Sequence, residues 1–426
     1  MSAPPLSTPP APPAAGKPQA IVLLAGACAS VLATLVIAPV LPDMKDAFSG
    51  TPGIETLVPM AMTLPALGVA LLSPVAGRLV DRFGRTRLLH GSMLAYAVLG
   101  TAPVWLNSIT AILISRALLG AVEAAVMTCC LTLLGDYYDG PTRDRYMSWH
   151  PAITAFAAVV FLAVGGALGS SGWRTPFWVY VAALPLMLVM LRVLHEPRPE
   201  QPVETDRRAE PIPPLPWRRL APTLLLSLFG AALVFFTLQA QLSFVLDDLG
   251  AGSASIGASA GIANLGVMLS AMVFMRYARR GAAGMLLLAG FVLGALGVFV
   301  MSVGSNWLTV TAGALVAGLG SGLLLPALLI GTTARLGFAQ RGRGTAAWTS
   351  AFYLGQFLSP LLVAALQAGS GDLPSALRLC AVGGLLSALA ALLVVRRSPL
   401  PVNSTTARDG SHTRPAVEPR PDPAGA

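Results

Sequence analysis

The chain has 426 residues, of which 55% are hydrophobic and only 11% charged, against roughly 25% charged in a soluble globular protein. A surface for water cannot be assembled from 28 Lys+Arg and 19 Asp+Glu at this length, so much of the exterior must face a lipid bilayer. The formal net charge of +9 would suit nucleic acid if the basic residues gathered on one solvated face, but they stand at the ends of apolar runs, which removes nucleic acid as a partner.

Residues 1–19, rich in Pro and Ala with one Lys, have neither the basic start of a signal peptide nor a foldable pattern, and read as a disordered cytoplasmic tail. Apolar stretches long enough to cross a hydrocarbon core of about 30 Å at about 1.5 Å per residue follow. They fall at 20–41, 55–76, 88–106, 109–134, 147–168 and 176–194. A polar, Pro-rich stretch interrupts them, and six more follow at 219–246, 254–275, 283–303, 307–333, 345–368 and 374–395. The expected organisation is an N-terminal six-helix bundle over 20–194, a cytoplasmic linker over 195–218, a C-terminal six-helix bundle over 219–395 and a disordered cytoplasmic tail over 396–426.

Basic residues fix the expected orientation. With both termini inside, Arg78, Arg82, Arg85 and Arg87, then Arg143 and Arg145, and the arginines of the linker and C-terminal tail all fall in the cytoplasm. Only Lys45, Arg174 and Arg378 fall outside, and Arg116 lies within a span. A repeat is visible too: the turn DRFG at 81–84 corresponds to ARRG at 278–281, and Arg143-Asp144-Arg145 to Arg341-Gly342-Arg343. Six spans per copy put both copies the same way round, so the halves are parallel repeats that can rock about a central site.

The most specific segment is GRLVDRFGRTR at 77–87. A glycine such as Gly77 permits close helix packing, Gly84 lets the chain reverse in a very short loop, and a carboxylate among arginines can latch one element to another. At Gly77, Leu79, Asp81, Arg82, Gly84 and Arg85 the segment resembles the loop between the second and third spans of the major facilitator superfamily. The fourth span resembles that family's Arg-x-x-x-Gly motif at Arg116 and Gly120. The resemblance covers about 20–395 and implies an all-α integral membrane fold of twelve transmembrane helices in two parallel six-helix repeats. It also implies a conformational latch in which Asp81 faces the start of the eleventh helix and Arg85 bridges to Asp136 at the end of the fourth. The chain departs from the drug/proton antiporter branch at Phe161 and Leu162, where many members carry Gly-Pro, and its first span has no acid between Ile21 and Leu41.

Ionisable residues at mid-membrane are functional candidates because they are expensive there. Arg116 and Glu123 are seven residues apart, which places them on nearly one helix face about 10 Å apart along the axis. That face is expected to look into a central cavity with room for a substrate group between the two, Glu123 accepting a proton or cation and Arg116 modulating it or binding an anion. A static buried bridge is the competing reading. Gln239, Gln241, Asn264, Trp348, Tyr353 and Gln356 can offer hydrogen bonds or aromatic faces to a ligand, although interhelical packing explains any one of them as well. The same holds for Phe235 and Phe236. Asp247 and Asp248 read as solvated end charges, and His150 as an interfacial histidine. In the tenth span Gly318, Gly320, Gly322 and Pro326 fit either gating or tight packing.

Cys28, Cys129, Cys130 and Cys380 lie inside apolar runs without CxxC or Cys/His spacing, so no disulfide framework, metal site or cofactor is expected. His90, His150, His195 and His412 are scattered, and no GxxxxGK[ST] loop occurs, which argues against a membrane enzyme or a self-contained pump. The expected function is a monomeric secondary transporter of a small organic solute in a bacterial inner membrane, working by alternating access with proton-coupled efflux. Uptake of a sugar, carboxylate or amino acid is the alternative.

Overall fold

The computed structural model describes residues 16–197, 213–278, 282–334, 336–337 and 340–397, with Pro74, Asp81, Ala231 and Arg397 described in backbone only. The two tails, most of the linker, and Arg279 to Gly281 of the expected repeat therefore lie largely outside the described residues.

The described chain forms twelve membrane helices. In the N-terminal half they are α1 (Lys17–Ala47), α2 (Ile54–Phe83), α3 (Arg85–Thr101), α4 (Ile109–Tyr137), α5 (Gly140–Gly169) and α6 (Thr175–Val193). In the C-terminal half they are α7 (Trp217–Asp247), α8 (Ser253–Tyr277), α9 (Ala283–Val303), α10 (Trp307–Thr333), α11 (Arg341–Ser370) and α12 (Leu373–Arg397). Eleven are long and apolar enough by themselves to cross a membrane. The exception, α3, is continued by a 3-10 turn over Ala102–Val104.

Local sequence explains the irregularities. Pro39 and Pro42 lack the N–H that a continuous helix needs, and α1 tightens into a 3-10 turn at Ala38–Val40 before resuming. A wider π-turn over Ala231–Phe235 bulges α7 in mid-course. At the α2–α3 junction Gly84 has φ of 84°, a left-handed conformation that a side chain would strain, and the two helices are joined through this one residue.

Within the N-terminal half α4 packs on α2, and within the C-terminal half α10 packs on both α8 and α9. Small residues permit this approach. A Cβ on Gly320 would lie 2.3 Å from the Gly294 nitrogen, and one on Gly318 would lie 2.1 Å from the Ala263 carbonyl oxygen. Of the two uses open to Gly318, Gly320 and Gly322, the structure has close packing, against both neighbours of α10.

One side of the molecule carries the Gly84 turn and is termed the motif face; the far face carries the turn around Gly53 and the one around Gly250. The halves meet along α5 with α8 and α2 with α11. Towards the far face, Ser243 Oγ donates to the Ala38 carbonyl and Ser253 Oγ to Asp43 Oδ2, both at 2.6 Å. Gly166 and Gly257 face each other there without room for a Cβ on either. Deeper in, Gln356 Nε2 donates to Thr34 Oγ1 at 3.4 Å and Ser350 Oγ to the Ala70 carbonyl at 3.3 Å.

Candidate functional site: a buried carboxylate beside the seam between halves

The fourth helix carries both mid-membrane charges, and the fold treats them differently. Arg116 is completely buried. Its Nη1 donates to Tyr180 Oη at 3.0 Å, and its Nη2 donates to the carbonyls of Leu99 and Gly100 at 3.0 and 2.9 Å. Those carbonyls belong to the last turn of α3, where the helix dipole is negative and a guanidinium is favoured. The guanidinium also lies over the rings of Phe177 and Tyr180, and Tyr180 Oη donates onward to the Ala33 carbonyl at 3.1 Å. Gly100 makes room for the Tyr180 ring, which a Cβ would meet at 2.2 Å. One side chain thus ties α4 to α3 and α6, and through Tyr180 to α1.

This geometry corrects the expectation of a substrate group held between Arg116 and Glu123. Equal helix faces do not imply equal surroundings: Arg116 points into the interior of its own half, and its two terminal nitrogens are committed to protein acceptors, leaving only Nε without a partner. No ion pair joins it to Glu123 among the described residues.

Glu123 is 2% exposed, and its Oε2 has no hydrogen-bond partner. Tyr96 of α3 and Tyr353 of α11 are within electrostatic reach of it. Tyr353 also packs against Val69 and Ala124, so the acid stands beside the place where α11 of one half meets α2 and α4 of the other. A buried carboxylate without a bonding partner is costly as an anion, and protonation or a cation removes that cost.

Across the seam the C-terminal half is aromatic and amide-rich. Trp348 stacks on Phe352 at 5.5 Å, and Phe352 also touches Phe235, Phe236 and Tyr353. The Trp348 indole nitrogen has no partner. The sequence reading did not single out Phe352, although the spacing of Trp348, Phe352 and Gln356 by four puts all three on one face of α11. Gln239 and Asn264 exchange amide bonds at 3.2 and 3.3 Å between α7 and α8, and are occupied with each other. Gln356 bonds Thr34 across the seam, whereas Gln241 lies nearer the far face on a separate cavity. Asp247 and Asp248 line that same cavity and are exposed at the end of α7, in keeping with their reading as solvated end charges.

On the motif face Arg85 Nε pairs with Asp136 Oδ2 at 2.8 Å. A second carboxylate, Glu196 at the start of the linker, was not anticipated. Its Oε1 accepts from the Arg85 amide at 2.7 Å and its Oε2 from the Thr86 amide at 2.9 Å and from the Thr86 hydroxyl. Burial raises the Glu196 carboxyl, but the Thr86 hydroxyl, the two amides and the Arg85 charge outweigh it and hold the group below the ordinary carboxylate value. The α3 N-terminus, with its free N–H groups, is what the carboxylate caps. Tyr137 bonds the His195 backbone beside it. The Asp81 side chain lies outside the described residues. Arg82 is exposed and lies over the Phe83 ring. Gly77 is also corrected: a Cβ there would meet nothing within 4 Å, so no close helix approach depends on it in this conformation.

Cys28, Cys129, Cys130 and Cys380 are free and buried, and the described residues contain no cluster of metal ligands.

Twelve apolar helices in two repeats, the Gly84 turn with its Arg85–Asp136 pair and the charged fourth helix all bear on ancestry. The sequence matches the Major Facilitator Superfamily profile over residues 23–242 and again over 224–422. The chain belongs to this superfamily. It is a multi-pass membrane protein. The MFS-type transporter YceJ of Bacillus subtilis is 28% identical over 338 residues, covering 76% of this chain and 82% of the relative. A triacylglyceride transporter of Mycolicibacterium smegmatis is 27% identical over 199 residues, 45% of this chain and 35% of its own length. The class H tetracycline resistance protein of Pasteurella multocida is 24% identical over 159 residues, 37% of this chain and 39% of its own. The chain thus spans little more than a third of some curated relatives it matches. Among solved structures, a bacterial homologue of the human lysosomal transporter Spinster superposes with a TM-score of 0.74 at 15% identity, covering 89% of this chain and 98% of the other. A D-xylose-proton symporter gives 0.75 at 15% identity, covering 90% and 98%. At such identity these two describe the fold alone.

Proposed function

We propose that the protein is a secondary active transporter that expels small organic molecules in exchange for protons, with Glu123 as the exchanging group. The observation that carries this reading is the Glu123 carboxylate, 2% exposed, with an oxygen lacking any bonding partner, beside Tyr353 of the opposite half. When the α2–α11 seam opens and closes, the surroundings of that carboxylate change, and a proton can be taken up in one conformation and lost in the other. The aromatic wall of Trp348, Phe352 and Tyr353 suits an apolar or planar solute better than a sugar, which would need more hydrogen-bonding groups. Relatives named for tetracycline and quinolone resistance lend weight to export. In this reading the motif face, with its arginines, is cytoplasmic, both termini are cytoplasmic, the membrane is a bacterial inner membrane, and the working unit is a monomer.

The Arg85–Asp136 pair and the Glu196 cap belong to the same proposal as the fixed part of a conformational latch, with Asp81 as its contact to the other half. The test uses purified protein in vesicles containing a pH-sensitive dye. A gradient of a lipophilic cation such as tetraphenylphosphonium drives opposing proton movement if the reading holds. Equal or larger proton movement with glucose or succinate, in the same direction as the solute, favours nutrient uptake instead.

A further inference from the structure

A cavity of about 320 Å³ lies between the halves on the far face, well separated in sequence and position from the Glu123 region. Its walls come from both halves: Lys45 of α1 and Glu55 of α2 on one side, and α7, α11 and the start of α12 on the other. Its charge is lopsided. Glu55, Asp247, Asp248 and Asp372 supply four carboxylates against the single ammonium of Lys45, and Asp43 and Asp46 add to the negative field felt at Asp247.

The Lys45 ammonium shows what such a site selects. It lies 3.5 Å from Glu55 Oε1 and 6.0 Å from the centre of the Phe244 ring, so a carboxylate and an aromatic face hold one cation together. The pair is half-open to solvent, at 38% and 62% side-chain exposure, and the long lysine stem can swing the ammonium away at little cost. Gln241 gives an independent indication. It is 5% exposed, lines the cavity, and has no hydrogen-bond partner among the described residues. Its amide atoms open onto the cavity, where a ligand or water can engage them.

We propose that this far-face cavity is a binding site for a small organic cation, an amine or quaternary ammonium, in which the Lys45 ammonium is a tethered stand-in that the ligand displaces. Phe244 receives the cationic head, Asp247 and Asp248 balance its charge, and the Gln241 amide bonds a polar group at its other end. The Asp372 carboxylate is partly committed, since its Oδ1 accepts from the Ser375 amide at the start of α12, and it serves the long-range field. The volume stands at the small end of ligand pockets, which run from about 300 to about 1,000 Å³, so the occupant is closer to choline in size than to a polycyclic drug. Because the site is assembled from both halves, it exists only while they meet on the far face. The proposal goes beyond proton-coupled export and stands without it.

The test is isothermal titration of the full-length protein in nanodiscs at low salt, with choline and its neutral isostere 3,3-dimethylbutan-1-ol as probes. Choline should bind at least about ten-fold more tightly than the alcohol, the charge being the only difference between them. Lys45→Met should tighten choline binding by roughly three- to ten-fold by removing the competitor, and Gln241→Leu should weaken it. The double change Asp247→Asn with Asp248→Asn should weaken it by about ten-fold or more. Equal binding of the alcohol, no choline binding, or Lys45→Met without tighter binding overturns the proposal. If the double variant fails to fold, the alcohol comparison and Lys45→Met still decide. Glu123→Gln should keep the preference for choline over the alcohol, a ratio that a shift between conformations does not alter, which separates failure here from failure of the coupling reading.

Discussion

The two halves share a plan of six helices and hold it by different means. In the N-terminal half charge does the holding: Arg116 ties α4 to α3 and α6, and Arg85, Asp136 and Glu196 fix the turn on the motif face. Both halves bring helices together through glycines, Gly120 against Pro65 in one and Gly320 against Gly294 in the other, but in the C-terminal half the interhelical side-chain bonds among the described residues are neutral: Gln239–Asn264, Ser259–Thr311 and Thr237–Ser359. The difference teaches that a charge inside a span is not a functional residue by virtue of its depth. Arg116 is as buried as Glu123, yet both its terminal nitrogens are spent on protein acceptors and only Nε is left over, whereas no hydrogen bond reaches Glu123 Oε2.

The contrast can be broken most severely in the C-terminal half. Gly320→Leu drives a side chain against the Gly294 backbone, and the expected result exceeds the roughly 1–3 kcal/mol of ordinary overpacking. Size-exclusion chromatography should show loss of the folded peak. In the N-terminal half Arg116→Met leaves two carbonyls and the Tyr180 hydroxyl without their donor, at an expected cost in thermal unfolding of about 1–3 kcal/mol for each group stranded. Arg116→Lys should recover little of this, because one ammonium cannot reproduce the fork.

Smaller effects sharpen the contrast. Gln239→Leu strands the Asn264 amide and should cost about 1 kcal/mol or less. Adding Asn264→Leu should restore most of that loss. A double variant of normal stability that has lost transport would move the pair from packing into the substrate path. The smallest effect concerns Glu196. Its folded value lies below the ordinary 4.5, so its stabilising contribution is complete above that pH and disappears as the pH falls through the lower folded value. The group is exposed, which limits the effect to about 1 kcal/mol at most. Hydrogen exchange at the Arg85 and Thr86 amides should quicken on acidification relative to neighbouring amides, and Glu196→Gln should abolish that acceleration.

Much of the architecture was legible because apolar length leaves little choice: a run such as 283–303 must cross the membrane as a helix, and the structure has α9 over those residues. The breaks in α1 were not anticipated, although Pro39 and Pro42 signalled them. Glu123 was legible as a costly acid. The employment of Arg116 was not, since helical periodicity gives the face of one helix but not which neighbours that face meets. Glu196 lay in a proline-rich stretch without periodicity, and its partners are backbone amides more than a hundred residues away, which no local pattern encodes. Phe352 could have been found from its spacing with Trp348. The far-face cavity could not, because it is made of helix ends from both halves.

The central claim is that Glu123 carries the exchanged proton, and proton flux in vesicles containing wild-type or Glu123→Gln protein tests it most directly. With a tetraphenylphosphonium gradient imposed, the wild type should acidify or alkalinise the lumen in the direction opposite to cation movement. The variant should fold and melt as the wild type does, because Glu123 Oε2 makes no bond to lose, yet move no protons in response. Proton flux at the wild-type rate in the variant would contradict the account.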